Sequence, residues 1–204
     1  MIIAIASFKG GVGKTTTAMH LAGFLQSHGP TLLIDTDPNQ SAIAWAKRGP
    51  LPFDVIDEWH EAPATDYHHI VIDTQARPTP DDFAILADSS EFLILPTTPD
   101  ILAMDALALT LEQLHDVGAY RYRILLTIIP PKPSKDGEQA RTLLQAANLP
   151  VFARGIPRSA AYRKAASDGS LTGLVNNAAA RKAWAAYEAV GQELLTLGVS
   201  SSSV

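Results

Sequence analysis

Short apolar runs alternate along this chain with longer stretches in which apolar residues recur every three or four positions. The short runs are rich in Ile, Leu and Val and predict strands at residues 2–6, 31–34, 53–56, 70–72, 92–95, 124–128 and 151–152. The longer stretches predict helices at residues 15–27, 41–47, 80–87, 101–117, 135–147 and 178–197. Because continuous apolar strands separated by helices are buried on both faces, the pattern predicts an α/β fold: a twisted, mainly parallel β-sheet flanked by helices on both faces.

Composition narrows the class of protein without identifying it. The chain has 204 residues, 47% of them apolar and 18% charged, which predicts one globular domain over residues 1–199 and a disordered polar tail at residues 200–204. It contains no cysteine, which excludes disulfides, thiolate zinc sites and cysteine-held iron–sulfur clusters. We find neither a basic, signal-like N-terminus nor an apolar run near the ~20 residues of a membrane span, so we expect a cytoplasmic protein.

A glycine-rich loop lies between the first predicted strand and the first predicted helix. It reads Lys9-Gly10-Gly11-Val12-Gly13-Lys14-Thr15-Thr16. In this context the backbone N–H groups of the loop and of the helix start point at one spot and cradle phosphate oxygens. Lys14 supplies a positive charge to the outer phosphates, and the Thr15 hydroxyl is placed to hold Mg²⁺. The stretch therefore predicts a P-loop NTPase, the alternative being a plain flexible turn.

The loop departs from the general P-loop pattern in a specific way. The glycine expected near Phe8 is absent, and a second lysine, Lys9, stands five positions before Lys14. This stretch resembles the deviant Walker A motif of the ParA/MinD superfamily of partitioning and positioning ATPases. The resemblance implies that Lys9 crosses a dimer interface to the phosphates bound by the other subunit, where it would stabilise charge on the transferred phosphoryl group. On spacing alone, Lys9 would equally be a solvated loop lysine.

Carboxylates end two further predicted strands. Asp35 and Asp37 follow the second strand, and Asp73 ends the fourth in the Walker B pattern. Ligands of parallel sheets bind at the carboxyl ends of the strands, so these acids should lie near the phosphates. We interpret Asp35 and Asp73 as supports of the Mg²⁺ water shell and Asp37 as the group that orients the attacking water, a role that the resemblance implies for the second acid of the family's switch region. The alternative is an Asp-Pro turn in which an acid caps the helix that starts near Ser41.

The resemblance also implies where the base binds and which helix packs in the dimer. The family grips the base with the loops after its sixth and seventh strands, here residues 127–133 and 155–158, which places Pro157 at the nucleotide. The helix after the segment Leu95-Pro96-Thr97-Thr98-Pro99-Asp100 corresponds to the one that packs in the dimer. From the residues themselves, Thr98 or Asp100 is a candidate cap of this helix.

Charge is divided unevenly along the chain. Five Lys/Arg and sixteen Asp/Glu give residues 1–118 a net charge of −11, whereas eleven and five give residues 119–204 a net charge of +6. We predict non-specific, phosphate-directed DNA binding by Arg154, Arg158, Arg163, Lys164, Arg181 and Lys182. The alternative is that these cations only solvate helix surfaces. The last helix has an apolar stripe but no cation after Lys182, so we predict that it packs on the sheet and does not bind a membrane surface.

The resemblance thus implies a small ParA-type ATPase of the kind without an N-terminal DNA-binding extension. It implies ATP and Mg²⁺ as cofactors, an ATP-dependent homodimer, non-specific DNA, no membrane, and a ParB-like or adaptor protein that stimulates weak hydrolysis. The cargo would be a plasmid, a chromosome or a protein compartment, and the protein would be nucleoid-associated. The alternative is a metabolic P-loop enzyme of the dethiobiotin synthetase or amidotransferase type.

Overall fold

A parallel sheet of six strands forms the centre of the structure. The computed structural model of the chain describes the backbone of residues 1–201 and the side chains of residues 1–198. The strands are β1 (Ile2–Ser7), β2 (Thr31–Asp35), β3 (Asp54–Asp57), β4 (His69–Ala76), β5 (Phe92–Thr97) and β6 (Tyr122–Leu126). They pair in the order β3-β2-β4-β1-β5-β6, and every pairing is parallel. The predicted fold class is confirmed, and the carboxyl ends of all six strands meet at one edge.

Helices cover both faces of this sheet. Those of the described residues are α1 (Lys14–Gln26), α2 (Ser41–Ala46), α3 (Pro80–Ser89), α4 (Ile101–Asp116), α5 (Asp136–Ala146), α6 (Ala160–Ser167) and α7 (Ala178–Ser201). Side chains alternate along β1, so that Ile3 and Ile5 join a core with α1, α2, α6 and α7. Ala4 and Ala6 join the opposite core with α3, α4 and α5. The two cores hold the central strands, and therefore the loops at their carboxyl ends, in fixed positions.

The structure departs from the predicted elements in more than their exact boundaries. The seventh strand at residues 151–152 is wrong, since Val151 forms only an isolated bridge with Ile124 and two residues offer too few ladder hydrogen bonds for a strand. Helix α6 was missed, although Ser159 caps it by accepting the N–H of Ala161 (3.2 Å). Helix α7 runs to Ser201, into the predicted tail, and residues 202–204 lie outside the described residues.

The apolar stripe of α7 faces the sheet, as predicted. Tyr187, Val190 and Leu194 are at most 1% exposed and belong to the core shared with α1. This packing places Tyr187 beside α1, where its hydroxyl lies 3.1 Å from that of Thr17. Within the described residues, none of the helices combines the length and the apolar character needed to cross a membrane.

Candidate functional site

The glycine-rich loop joins β1 to α1 at the carboxyl edge of the sheet. Gly11 (φ 77°) and Gly13 (φ 87°) occupy the left-handed region that favours glycine, and apart from their chain neighbours none of the described residues approaches within 4 Å of where a Cβ would stand. The loop borders a cavity of about 420 Å³ lined by Gly10, Gly11, Gly13, Lys14, Thr15, Thr16, Asp37, Asn39, Ser41, Ala76 and Ile128. An open concavity with successive backbone N–H groups at a helix start fits a phosphate group, and we call it the phosphate cavity.

Lys14 and Asp73 are two of the buried ionisable residues at or near this cavity. Lys14 is only 7% exposed, and burial lowers its pKa, although the nearby carboxylates of Asp73 and Asp37 oppose the shift. Asp73 is fully buried, and burial raises its pKa to about 7, with the nearby Thr15 hydroxyl opposing the rise. Neither carboxylate oxygen of Asp73 has a hydrogen-bond partner among the described residues. A buried carboxylate in this state, close to a threonine hydroxyl, fits an outer support for Mg²⁺.

Asp35 makes contacts that the metal prediction did not include. Its Oδ2 accepts the N–H groups of Ala42 (2.9 Å) and Ile43 (3.1 Å), and its Oδ1 accepts that of Asp37 (3.1 Å). Burial raises the pKa of Asp35 in spite of these bonds, and the residue is 1% exposed. Asp35 therefore caps the first turn of α2, as the alternative interpretation of an acid cap required. Its role toward Mg²⁺ stays a prediction.

Asp37 borders the phosphate cavity. Its Oδ1 accepts the backbone N–H of Asn39 (2.9 Å) and the Nδ2 of the same residue (2.8 Å), which fixes the carboxylate in the turn before α2. The Asp37 carboxylate is also close enough to Lys14 to raise the pKa of that lysine. Lys14, Thr15 and Asp37 thus line the phosphate cavity, and Asp73 lies near enough to Lys14 to interact with its charge, although neither Asp35 nor Asp73 is part of the lining.

A second cavity, of about 380 Å³, adjoins the P-loop on the side of α6 and α7. It is lined by Gly13, Thr16, Thr127, Ile128, Ile156, Pro157, Arg158, Ser159, Ala160, Tyr162, Arg163 and Tyr187. Its walls are mainly apolar, as a site for a nucleoside requires, and we call it the nucleoside cavity. Pro157 is part of its lining, and contact of this residue with a base stays a prediction. Arg158 and Arg163, predicted as DNA-binding residues, also line this cavity.

Lys9 points away from the phosphate cavity. Its Nζ lies 2.8 Å from Asp100 Oδ1, an atom that also accepts the N–H of Ala103 (3.1 Å) at the start of α4. The Thr98 hydroxyl donates to the other oxygen of Asp100. The hydrogen bonds from Lys9 and then from Thr98 lower the pKa of Asp100 to about 2. Asp100 is thus the cap of α4, one of the two predicted candidates.

Lys9 and Asp100 border a third cavity, of about 460 Å³, on the outer side of the P-loop. It is lined by Lys9, Gly10, Gly11, Val12, Thr98, Pro99, Asp100, Ile128, Pro130, Asp136 and Arg158. Lys14 does not belong to this lining, and Lys9 does not belong to that of the phosphate cavity. The two lysines of the loop therefore serve different cavities.

The six residues predicted for DNA binding are all exposed, but they fall into different local settings. Lys164 pairs with Asp168 (2.8 Å) one turn further along α6, and Arg181 donates to Asn176 Oδ1 (2.9 Å). Arg154 and Lys182 line none of the three cavities described above. Their role on DNA stays a prediction.

The sequence placed residues 127–133 in the predicted base loop, but it assigned no contact to Thr127 or Ile128 at the end of β6. Thr127 is 2% exposed, and its hydroxyl lies 2.7 Å from the carbonyl oxygen of Val12 in the P-loop. Ile128 has a φ of 50°, rare for a β-branched residue, and borders all three cavities. The only available signal was a polar residue at the carboxyl end of a buried strand.

Comparison with known proteins agrees with this geometry. The profile of the CobQ/CobB/MinD/ParA nucleotide binding domain matches residues 3–172. Maintenance of carboxysome distribution protein A from Gloeobacter kilaueensis is 32% identical over 201 residues, covering 95% of this chain and 93% of that protein.

Two solved structures share the fold at lower identity. A putative plasmid partition protein from Borrelia burgdorferi B31, bound to AMPPNP, has a TM-score of 0.73 at 19% identity and covers 96% of this chain and 98% of its own. A variant of Cyanothece McdA in complex with ATP has a TM-score of 0.72 at 19% identity and covers 93% of this chain and 96% of its own. The profile match spans most of the sequence and includes the glycine-rich loop, Asp35, Asp37 and Asp73. The chain therefore belongs to the CobQ/CobB/MinD/ParA nucleotide-binding domain family.

Proposed function

We propose that this chain is a ParA-type ATPase in which bound ATP joins two copies into a dimer that positions a macromolecular cargo. ATP with Mg²⁺ is the cofactor, held by the loop from Lys9 to Thr16. Lys14 and the loop amides bind the phosphates, and Pro157 lies against the base. Two neighbours with the same fold that carry AMPPNP and ATP support this choice of nucleotide.

Thr15 and Asp73 would hold Mg²⁺ and its water shell. When bound, the ion neutralises charge on the phosphate oxygens. The carboxylate of Asp73 supports this assignment, because it is buried without a hydrogen bond of normal length among the described residues, and the nearby Thr15 hydroxyl and Lys14 charge offset that burial only in part. Asp37, fixed by Asn39 at the edge of the phosphate cavity, orients the attacking water. Asp35 acts by fixing the turn that presents Asp37.

The observation that carries the dimer proposal is the separation of the two lysines. Lys14 serves the chain's own phosphate cavity, whereas Lys9 borders the outer cavity beside Asp100. A cation held outside its own phosphate site can act on a nucleotide bound by a second copy, where it would stabilise charge on the transferred phosphoryl group. Lys9 would exchange its bond to Asp100 for contact with those phosphates.

The remaining parts of the proposal concern the partners. The dimer binds DNA non-specifically through the exposed cations, which a second copy doubles. A ParB-like or adaptor protein stimulates the slow hydrolysis and releases the dimer. The relative from Gloeobacter kilaueensis is named for carboxysome distribution and the Borrelia neighbour for plasmid partition, which supports a cargo of that kind. The protein would work in the cytoplasm, on the nucleoid.

Analytical sedimentation tests the proposal. Wild type, Lys9→Ala and the control Lys47→Ala, at an exposed position after α2, are compared with Mg·ADP, with Mg·AMPPNP, and with Mg·AMPPNP plus DNA. We expect wild type and Lys47→Ala to be monomers with Mg·ADP and dimers with Mg·AMPPNP, and the dimers to co-sediment with DNA. Lys9→Ala should stay monomeric under all three conditions. Wild type that binds AMPPNP yet stays monomeric would contradict the proposal. In a separate assay, ATP hydrolysis that requires a small-molecule acceptor and does not respond to DNA would favour the alternative, a metabolic P-loop enzyme.

A further inference from the structure

Thr127 borders the nucleoside cavity, and its hydroxyl also joins the sheet to the P-loop through a contact to which no role has been assigned. It follows β6 directly and is 2% exposed. Its backbone N–H donates to the carbonyl of Thr97 (2.8 Å), which continues the pairing with β5. Its hydroxyl lies 2.7 Å from the carbonyl oxygen of Val12 and 3.1 Å from that of Thr97. The shorter distance assigns the single hydroxyl proton chiefly to Val12.

The direction of the Val12 carbonyl decides where the next N–H points. In a planar trans peptide the C=O of one residue and the N–H of the next point in opposite directions. Because the Val12 carbonyl is turned toward Thr127, the Gly13 N–H is turned away from Thr127. Gly13 borders both the phosphate cavity and the nucleoside cavity. Its φ of 87° lies in the left-handed region that favours glycine.

From this geometry we infer that Thr127 is a positioning residue for phosphate binding. Its hydroxyl holds the Val12–Gly13 peptide in the orientation that presents the Gly13 N–H to the nucleotide. Without that bond the peptide can rotate, because glycines on both sides of Val12 allow a wide range of backbone angles. The Val12 carbonyl would then compete with phosphate oxygens for the same space.

The residue after Thr127 supports a held geometry at this point. Ile128 has a φ of 50°, a conformation that a β-branched side chain adopts only when its surroundings enforce it. Ile129 continues the fixed segment, because its N–H donates to the carbonyl of Ile156 (3.0 Å) and its own carbonyl accepts the N–H of Arg158 (2.8 Å). Thr127 thus belongs to a rigid segment, which gives its hydroxyl a fixed reference against which to hold the loop.

The inference rests on nucleotide binding within the proposed function and not on dimerisation. The test compares Thr127→Val, which removes the hydroxyl and keeps the side-chain shape, with the conservative Thr127→Ser. Thr110→Val is the matched control, since Thr110 is 1% exposed and its hydroxyl bonds the carbonyl of Ala106 (2.9 Å) in α4, away from the P-loop. Dissociation constants are measured for Mg·ADP and for adenosine, together with the unfolding temperature without nucleotide.

We expect Thr127→Val to weaken Mg·ADP binding about tenfold, the effect of one lost hydrogen bond of ~1.4 kcal/mol, and adenosine binding by less than about twofold. Thr127→Ser should restore ADP binding, and Thr110→Val should bind like wild type although both valine variants lose unfolding temperature. Thr127→Ala serves as a second variant if Thr127→Val does not fold, with the same expected loss.

Equal losses for ADP and adenosine, or an unchanged ADP affinity in Thr127→Val, would overturn the positioning role while the proposed function stands. Failure of the wild type itself to bind Mg·ADP would contradict the proposed function, and the positioning role with it. The three results are therefore distinguishable in one series of measurements.

Discussion

The phosphate edge, formed by Lys14, Asp35 and Asp73, differs from the predicted DNA-binding residues in how deeply its charged groups are buried. At the phosphate edge, Lys14, Asp35 and Asp73 are at most 7% exposed, and each has its pKa shifted by burial. The six cations predicted for DNA are all exposed. Buried charges are weakly screened, so a change of one group has a large effect there. Exposed cations act through a screened, summed field, so each contributes little.

This difference affects how each region can be tested. A single substitution at the phosphate edge removes a group that nothing nearby can replace. Among the six predicted DNA-binding residues, Lys164 already forms an ion pair with Asp168, and Arg181 donates a hydrogen bond to Asn176. Arg158 and Arg163 border the nucleoside cavity, so they belong to both regions.

Replacement of Lys14 should have the largest effect. Lys14→Ala removes the cation of the phosphate cavity, and we expect about a 100- to 1,000-fold loss of phosphate release, the size typical of a lost electrostatic contact to the reacting group. Unfolding without nucleotide should change little, because burial of this lysine is itself costly. Phosphate release and thermal unfolding are measured beside Lys47→Ala. A loss of less than about tenfold would be too small for this class of contact and would contradict the assigned role.

Asp73→Asn should change the pH dependence of stability. The pKa of Asp73 is raised from 3.8 to about 7, so the folded state holds a proton that the unfolded state has released between these values. The ligand-free wild type should therefore lose unfolding free energy as pH rises from about 4 to about 7, on the order of a few kcal/mol, and level off above. The asparagine variant lacks this contribution. Urea unfolding at a series of pH values measures the difference between the two curves.

The prediction for Asp73 needs a control variant and can be contradicted by one result. Asp105→Asn, at an exposed position of α4, is the control for loss of a carboxylate. If the curves of wild type and Asp73→Asn run parallel across this pH range, the buried carboxylate is not perturbed and its fit to a Mg²⁺ shell loses its physical basis. Saturation with Mg·ADP should reduce the difference, because the bound cation favours the ionised acid.

The sequence was sufficient for the parts that depend on local patterns. Strands β1 to β6, the glycine-rich loop between β1 and α1 and the acids at strand ends follow from periodicity and motif spacing. Two residues at 151–152 formed no strand, because pairing depends on neighbours that a local pattern does not contain. The same reason explains why the contact of Thr127 was not predicted, because its hydroxyl bonds a residue 115 positions away in the sequence.

The roles of single charged residues were harder to predict. Asp35 and Asp37 are two positions apart, and only the structure shows that one caps α2 and the other borders the phosphate cavity. For Arg158, the local sequence fits a basic surface, whereas its position between two cavities depends on the return of the chain to β6. Side-chain surroundings set by distant segments are what the pattern could not supply.

Paired double variants would separate the two regions that share cations. Arg154→Ala with Lys182→Ala should weaken non-specific DNA binding about tenfold and lower the salt dependence by about two phosphate contacts, with nucleotide affinity unchanged. Arg158→Ala with Arg163→Ala should also weaken Mg·AMPPNP binding, because both side chains border the nucleoside cavity. Fluorescence anisotropy with labelled DNA and with a labelled nucleotide measures both. If the two double variants lost DNA affinity and nucleotide affinity to the same extent, the distinction between cations at the nucleoside cavity and cations outside it would be contradicted.

The smallest effect concerns the bond between Lys9 and Asp100, which lies on the border of the phosphate edge. The side chain of Asp100 is 52% exposed and that of Lys9 is 31% exposed, so their ion pair is worth only ~0.2–1 kcal/mol. Asp100→Asn keeps a residue that can cap α4 and removes the charge that holds Lys9. If Lys9 must leave Asp100 to reach the nucleotide of a second copy, the variant should dimerise with Mg·AMPPNP about two- to fivefold more tightly. Sedimentation equilibrium measures this change, and weaker dimerisation would mean that Asp100 assists Lys9 in the dimer and does not restrain it.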